Sequence, residues 1–217
     1  MPGRLIVVTG TGTGIGKTHV SCAILRCAGR SRKVVGYKPV ESGVDGTALT
    51  DSERLADAGS FHVKLSPSYQ LRAPVSPHLA ARMESVSIDV GAIQRAITDI
   101  RAQDVDILIE LPGGLFTPLT SALRNVDVIG RLDANVVLLL APDRLGVLHD
   151  VGAAMSGQVV VTDVALVSPD VEDASSGTNA DELRHLGVAV HGTWPRATEE
   201  SLAMEPTTTK LVDRWVG

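Results

Sequence analysis

A chain of 217 residues, 44% of them hydrophobic, is long enough to bury one α/β core without disulfides or a structural metal. Its formal net charge of −5 offers no basic patch to neutralise nucleic-acid phosphates, and no apolar stretch approaches the roughly 20 residues that span a bilayer. Nucleic-acid binding and a transmembrane role are thereby excluded, and a single domain over 1–217 with one small-molecule site is expected.

Met1 to Arg4 run straight into Leu5-Ile6-Val7-Val8, the first predicted strand, without the apolar segment and cleavage site of a secretory signal, so a cytoplasmic location is expected. The segment Gly10-Thr11-Gly12-Thr13-Gly14-Ile15-Gly16-Lys17-Thr18 follows as a glycine-rich turn that opens a helix predicted over Thr18 to Cys27. Its glycines let successive N–H groups face phosphate oxygens, the helix N-terminus adds a favourable dipole, Lys17 supplies a charge and Thr18 offers a hydroxyl to Mg²⁺. Gly10 and Gly16 enclose five residues, so the loop is one longer than the common phosphate-loop pattern, and Thr11 holds a position usually given to glycine. Cys22 and Cys27 lie roughly 140° apart around the helix, which suits neither a disulfide nor a shared metal; two reduced core thiols are expected.

A second strand, Lys33 to Gly36, leads into Tyr37-Lys38-Pro39-Val40-Glu41-Ser42-Gly43 and places Lys38 and Ser42 at the carboxyl edge of the sheet, where open α/β proteins bind ligands. A lysine after a strand is ordinarily solvated, but beside a phosphate loop a second cation stabilises charge in phosphoryl transfer. Asp51, before Ser-Glu-Arg-Leu, is open to two readings, a magnesium ligand or the N-cap of a helix. Ala73 to His78 reads as a helix start, with Ser76 as N-cap and Pro77 at the first helical position, and His78 as structural or site-lining. The remaining histidines, such as His62 and His191, show no metal spacing, and no zinc site is expected.

Asp89 is expected to cap a helix over Asp89 to Ala102 whose Ile93, Ala96, Ile97 and Ile100 form an apolar stripe. The third strand, Val105 to Ile109, delivers Glu110 to the carboxyl edge, where a magnesium ligand is needed, ahead of Leu111-Pro112-Gly113-Gly114. A strand over Val136 to Ala141 and a helix over Val147 to Met155 come next. Val159 to Val167 reads either as one long strand or as a helix end plus a short strand from Val164, Ser168 to Asn179 as a mobile surface loop, and Val188 to Val190 as a last strand. Strand and helix alternate throughout, which defines a three-layer α/β fold of the P-loop NTPase type, its mainly parallel central sheet flanked by helices.

Together these segments resemble the dethiobiotin synthetase family of biotin biosynthesis. The family's Gly-Thr-x-Thr-x-x-Gly-Lys-Thr stands at Gly10 to Thr18, Tyr-Lys-Pro-Val-x-Ser-Gly at Tyr37 to Gly43, Pro-x-Ser-Pro-His at Pro74 to His78 and Glu-x-x-Gly-Gly at Glu110 to Gly114. The resemblance implies a reaction of ATP, CO₂ or bicarbonate and 7,8-diaminononanoate that yields dethiobiotin, ADP and phosphate. It implies that Thr18, Asp51 and Glu110 hold Mg²⁺, that Lys17 and Lys38 steady the phosphates and carbamate, and that Thr13, counted with them in the catalytic set, lines the substrate pocket beside Ser42. Nucleotide contacts are implied for Thr13, Gly14, Ile15, Gly16, Lys17 and Thr18, together with His78, Ser168, Trp194 and Pro195. Substrate contacts are implied for Ser42, Lys38, Glu110 and Gly113. In the family's homodimer the substrate carboxylate lies near the partner's loop, here similar to Leu145 followed by Gly146, Val147 and Leu148, where a helix N-terminus suits an anion.

The sequence departs from the family at three places. Leu111-Pro112 replaces a Gly-Ala pair, which removes an N–H donor and disfavours positive φ at Leu111. Ser168-Pro169 stands where the family has an adenine-reading asparagine, and Val44 to Thr50 is a short loop. The altered Glu110 loop admits a catalytically silent nucleotide-binding paralogue as an alternative. A switch or partition ATPase would carry an early lysine where this chain has Thr11 and Gly12, and an amidotransferase-type synthetase would need a glutaminase domain for which there is no room.

Overall fold

The computed structural model describes residues 1–157 and 161–216. Six strands form one parallel sheet: β1 (Leu5–Gly10), β2 (Val34–Tyr37), β5 (Asp106–Glu110), β6 (Val136–Pro142), β7 (Asp163–Val167) and β8 (Val190–Trp194), in the order β2-β5-β1-β6-β7-β8. A separate two-stranded parallel ribbon, β3 (Val40–Ser42) with β4 (Tyr69–Leu71), was not expected. The helices are α1 (Lys17–Ala28), α2 (Asp51–Ala58), α3 (Pro77–Met83), α4 (Val90–Arg101), α5 (Asn125–Ile129), α6 (Val147–Met155), α7 (Asn179–His185), α8 (Glu199–Leu202) and α9 (Pro206–Val216). Of the two readings of Val159 to Val167, the part at Val159 lies outside the described residues, and within them a strand runs from Asp163 to Val167. Among the described residues no helix is long and apolar enough to cross a membrane.

Strands buried on both faces read as continuous apolar runs, and their side chains still alternate between two cores. Leu5, Val7, Ile107, Ile109 and Leu139 face the layer that holds α3, α4 and α6. Ile6, Val8, Leu108, Leu138 and Leu140 face α1, α2 and α9. The predicted stripe of α4 buries Ile93, Ile97 and Ile100, and the Asp89 side chain caps the helix by accepting from Ala92 N at 2.9 Å. Cys22 and Cys27 are free and buried in the second core, as expected.

The crossovers place β1 at the centre with β5 and β6 on its two sides, so the crevice above its carboxyl end is the ligand position of an open α/β sheet. Gly36 in β2 decides how closely α2 approaches that crevice. A Cβ there would meet Leu55 O at 2.4 Å and Leu25 Cδ1 at 2.6 Å, so only glycine lets α2 lie on the strand.

The segment from Ser168 to Asn179 is irregular, but it is held down and does not form a free loop. The buried Asp143 carboxylate accepts from Gly177 N at 2.8 Å and from Asn179 Nδ2 at 2.7 Å, and Asp173 accepts from Leu145 N at 2.8 Å. Buried donors need such partners, and Asp143 supplies them from the end of β6.

Gly36→Ala is expected to destabilise the chain by about 1–3 kcal/mol, the usual cost of overpacking. Denaturant unfolding checks this, and an unchanged midpoint would contradict the close α2 contact.

Candidate active site

The phosphate loop spans the gap between β1 and α1. Gly14 (φ 72) and Gly16 (φ 87) are left-handed, a conformation that costs a side chain dearly. Gly10 is closely packed: a Cβ would lie 3.1 Å from Leu140 O and 2.5 Å from Ile15 Cδ1, so the Ile15 side chain would have to shift to admit it. Lys17 folds back across the loop and donates from Nζ to Gly12 O at 2.6 Å. The residue is 6% exposed, and burial lowers its pKa from the ordinary 10.5 to about 8; Glu110 opposes this shift and Lys38 adds to it.

Below the loop, four elements converge on one buried ammonium. Lys38, just past β2, donates from Nζ to Asp51 Oδ2 at 2.5 Å and to Glu110 Oε1 at 2.8 Å. Glu110, at the end of β5 and fully buried, also accepts from Thr18 Oγ1 at 2.8 Å and from Ser21 Oγ at 2.9 Å. Burial disfavours the charge on Lys38, but the two carboxylates outweigh it and raise its pKa. Burial likewise opposes ionisation of Asp51, and the Lys38 charge together with hydrogen bonds from Lys38 and Thr18 overcomes it, holding the carboxyl below its usual range.

Asp51 is not the N-cap of α2. Thr50 holds that position, its Oγ1 accepting from Glu53 N at 3.1 Å while Glu53 accepts from Thr50 N at 2.8 Å, a complete capping box. Glu41 on β3 accepts from Asp51 N at 2.8 Å and Ser52 N at 3.1 Å, so the first-turn amides are satisfied and the Asp51 side chain is released to the site. At α3, Pro77 occupies the first helical position as expected, but Ser76 makes no side-chain cap; its Oγ lies 3.0 Å from His78 Nδ1.

Leu111-Pro112 fits the loop after β5 without strain. The left-handed residue is Gly113 (φ 68), not Leu111, whose side chain is fully buried and whose N–H bonds Val8 O at 3.0 Å. Asn125 Nδ2 donates to Pro112 O at 2.7 Å and Gly114 O at 2.8 Å. Gly114 packs on the phosphate loop, where a Cβ would meet Thr11 backbone at 3.1 Å.

Two clefts flank the loop and share Thr13, Gly14, Gly16 and His19 as a common wall. One, of about 660 Å³, holds the Lys38 centre and is also lined by Ser42, Ser76, Gly113 and Thr117. The other, of about 840 Å³, is lined by Ile15, Ser168, Asp170, Pro195, Arg196 and Ala197 among others. The structure thus brings Thr13 to Thr18, Lys38, Ser42, Asp51, Glu110 and Gly113 to one place, with Ser168 and Pro195 next door.

Other candidates are not brought there. Trp194 is fully buried as the last residue of β8, its Nε1 donating to Thr208 Oγ1 at 2.8 Å, so Pro195 and Arg196 form the wall that Trp194 was expected to share. His78 lines neither cleft, being turned onto Ser76 Oγ. Gly146 (φ 95), the buried Val147 and Leu148 begin α6 and line neither cleft of their own chain. Ser21 and Asn125 were missed. Ser21 lies one turn past Thr18 on the same face of α1, which is the spacing that could have revealed it.

Fold and loop together define a P-loop nucleotide-binding α/β protein. The family described as an AAA domain matches residues 4–195. The ATP-dependent dethiobiotin synthetase BioD of Caulobacter sp. (strain K31) is 37% identical over 186 residues, 78% of this chain and 80% of that protein. Its counterpart from Anaeromyxobacter sp. (strain Fw109-5) is 33% identical over 193 residues, 84% of this chain and 85% of that one. Among solved structures, a ParA family ATPase from Chlorobium tepidum TLS aligns with a TM-score of 0.59 at 13% identity, covering 99% of this chain and 98% of that one. FtsY from Thermotoga maritima aligns at 0.56 with 18% identity, covering 100% and 69%. These two show the shared fold alone. The chain belongs to the ATP-dependent dethiobiotin synthetase family.

Because its pKa is depressed, Lys17 in the folded chain loses its charge as pH rises through about 8, whereas the unfolded chain keeps it to near 10.5. Over that interval the folded state gains stability with pH, while affinity for a polyanion falls. Triphosphate binding above pH 8 is therefore expected to take up a proton, measured by calorimetry in buffers of different ionisation enthalpy. Buffer-independent heats and pH-independent affinity would contradict the assignment.

Proposed function

We propose that this chain closes the ureido ring of dethiobiotin, using ATP, CO₂ and 7,8-diaminononanoate, in one active site on a single domain. One amine adds to CO₂ to give a carbamate and releases a proton. A carbamate oxygen then attacks the γ-phosphorus, the bond to the bridging oxygen breaks, and ADP leaves. The second amine attacks the carbonyl carbon of the resulting carbamic-phosphoric anhydride and expels phosphate as the ring closes. The observation that carries this reading is the Lys38 ammonium, fixed between two carboxylates at the foot of the phosphate loop in a cleft that is also lined by Ser42.

Phosphoryl transfer needs positioning and positive charge more than a covalent nucleophile. In this proposal Lys17 leaves Gly12 O to hold the terminal phosphates, aided by the loop amides from Thr13 to Thr18. Lys38 meets the charge that develops between carbamate and γ-phosphate, and Ser42 and Gly113 orient the diamine. Thr18, Asp51 and Glu110 form an all-oxygen donor set around a point that already attracts a cation, which suits a hard divalent ion such as Mg²⁺. That ion, when bound, neutralises phosphate charge. The well-bonded Leu111-Pro112 turn supports turnover over a silent paralogue.

The base is assigned to the cleft of Ser168 and Pro195, next to the loop. A homodimer belongs to the same proposal, with the α6 start at Gly146 to Leu148 offered to the partner's substrate; the exposed Leu145 beside it supports this. A cytoplasmic location, where ATP and bicarbonate are available, is part of the same proposal.

ADP release is expected to require both the diamine and bicarbonate, and an assay that omits each in turn tests the reading; diamine-independent hydrolysis would contradict it. Lys17→Ala is expected to raise the ATP dissociation constant about tenfold or more, and Lys38→Ala to lower kcat on the order of 10²-fold with binding largely kept. Equal losses of binding in both variants would contradict this division. Ser168 offers a single, shorter-reaching oxygen where an asparagine amide presents separate donor and acceptor atoms side by side for a bidentate pair with the base edge, so preference for adenine is expected to be loose, with CTP or GTP serving as donors. Strict ATP dependence would count against it.

A further inference from the structure

The Asp51 carboxylate has a second cation within reach, and the structure shows what restrains it. Arg54, three residues along α2, already pairs with Asp51, but through one nitrogen and at the long end of the range: Nη1 donates to Oδ1 at 3.4 Å. Its Nη2 is drawn the other way, donating to Glu199 Oε1 at 2.7 Å. Glu199 opens α8, 145 residues further on, immediately after Ala197 and Thr198, which line the base-side cleft. It is itself held in place: Arg26 Nη2 lies 3.4 Å from Oε2 and His19 Nδ1 lies 3.6 Å from Oε1, while His19 Nε2 is 2.7 Å from Ala197 O. Burial disfavours its charge, yet Arg54 and Arg26 keep the carboxyl below its ordinary range.

A guanidinium forks naturally onto a carboxylate, and a bidentate Arg54–Asp51 pair would neutralise Asp51 and occupy both its oxygens. At (i, i+3) on a helix the two side chains are neighbours, so the single-nitrogen contact closes to the bidentate pair unless Nη2 is engaged elsewhere. We propose that Glu199 is a positioning residue that limits Arg54 to a single long contact with Asp51, prevents the bidentate pair, and so keeps the rest of the Asp51 carboxylate open to Lys38 and to the divalent cation. The inference builds on the magnesium site proposed above. It ties the segment that walls the base-side cleft to the readiness of the carboxylate centre, and it gives a signed expectation that simple structural support does not share.

Removing the Glu199 charge releases Arg54 onto Asp51, and removing Arg54 as well relieves the block. The test is ATP binding by calorimetry over a range of Mg²⁺ concentrations, for the wild type, Glu199→Gln, Arg54→Met and the double variant. In Glu199→Gln the Mg²⁺ needed for half-maximal binding is expected to rise about tenfold, and in the double variant to return to within about twofold of the wild type, as strong coupling between the sites requires. Glu199→Asp, which keeps the charge but shortens the reach, is expected to shift in the same direction and serves if Glu199→Gln does not fold. A wild type whose ATP binding ignores Mg²⁺ would sink the magnesium site and this inference with it. A Mg²⁺-dependent wild type with an unshifted Glu199→Gln, or a double variant as impaired as Glu199→Gln, would overturn the inference alone.

Discussion

The site depends on a buried ammonium held between two carboxylates. An unpaired charge in that position would cost several kcal/mol, so Lys38 is tenable only while Asp51 and Glu110 are both beside it. Each partner comes from a different element: Lys38 from the end of β2, Asp51 from α2, Glu110 from β5, and the Thr18 and Ser21 hydroxyls from α1. The requirement to satisfy one charge therefore fixes four elements relative to one another. The same requirement gathers oxygen donors at the foot of the phosphate loop.

The phosphate loop acts as a partition. Gly14 and Gly16 carry its left-handed turns, and Thr13, Gly14 and Gly16 line a cleft on either side, one holding the charged centre and the other framed by Ser168 and Pro195. A nucleotide laid across the partition would place its base and its reacting phosphate in different environments. Lys17, folded onto Gly12 O, satisfies the loop with its own chain, and in the proposed reaction it exchanges that carbonyl for a more strongly charged acceptor. The depressed pKa of Lys17 and the raised pKa of Lys38 have one cause seen from two sides: burial weakens both, and only Lys38 has carboxylates in contact to reverse the effect.

Much of this was legible in the sequence where local signals are strong. The strands around β1, the helix α4 with its Asp89 cap and the helix α6 follow from periodicity and capping, and the phosphate loop from residue types at fixed spacing. The ribbon β3–β4 was not legible, because three-residue strands have no measurable period and Val40 finds its partner at Tyr69. Asp51 was ambiguous because a cap and a ligand use the same carboxylate; the deciding signal, Thr50 followed three residues later by Glu53, was present and went unread. Trp194 was misplaced by a boundary error. The last strand runs to Trp194 instead of ending at Val190, so the indole belongs to a strand face and to the core. The Arg54–Glu199 contact joins residues 145 apart and no local pattern announces it.

The most direct test of the account is a crystal structure of the chain with Mg²⁺ and a non-hydrolysable ATP analogue. The account predicts that Lys17 Nζ leaves Gly12 O for the terminal phosphates, that a divalent ion sits about 2.0–2.1 Å from Thr18 Oγ1 with Asp51 and Glu110 around it, and that Lys38 stays beside both carboxylates. Phosphates bound elsewhere, with Lys17 still closed on Gly12 and no ion among Thr18, Asp51 and Glu110, would contradict it.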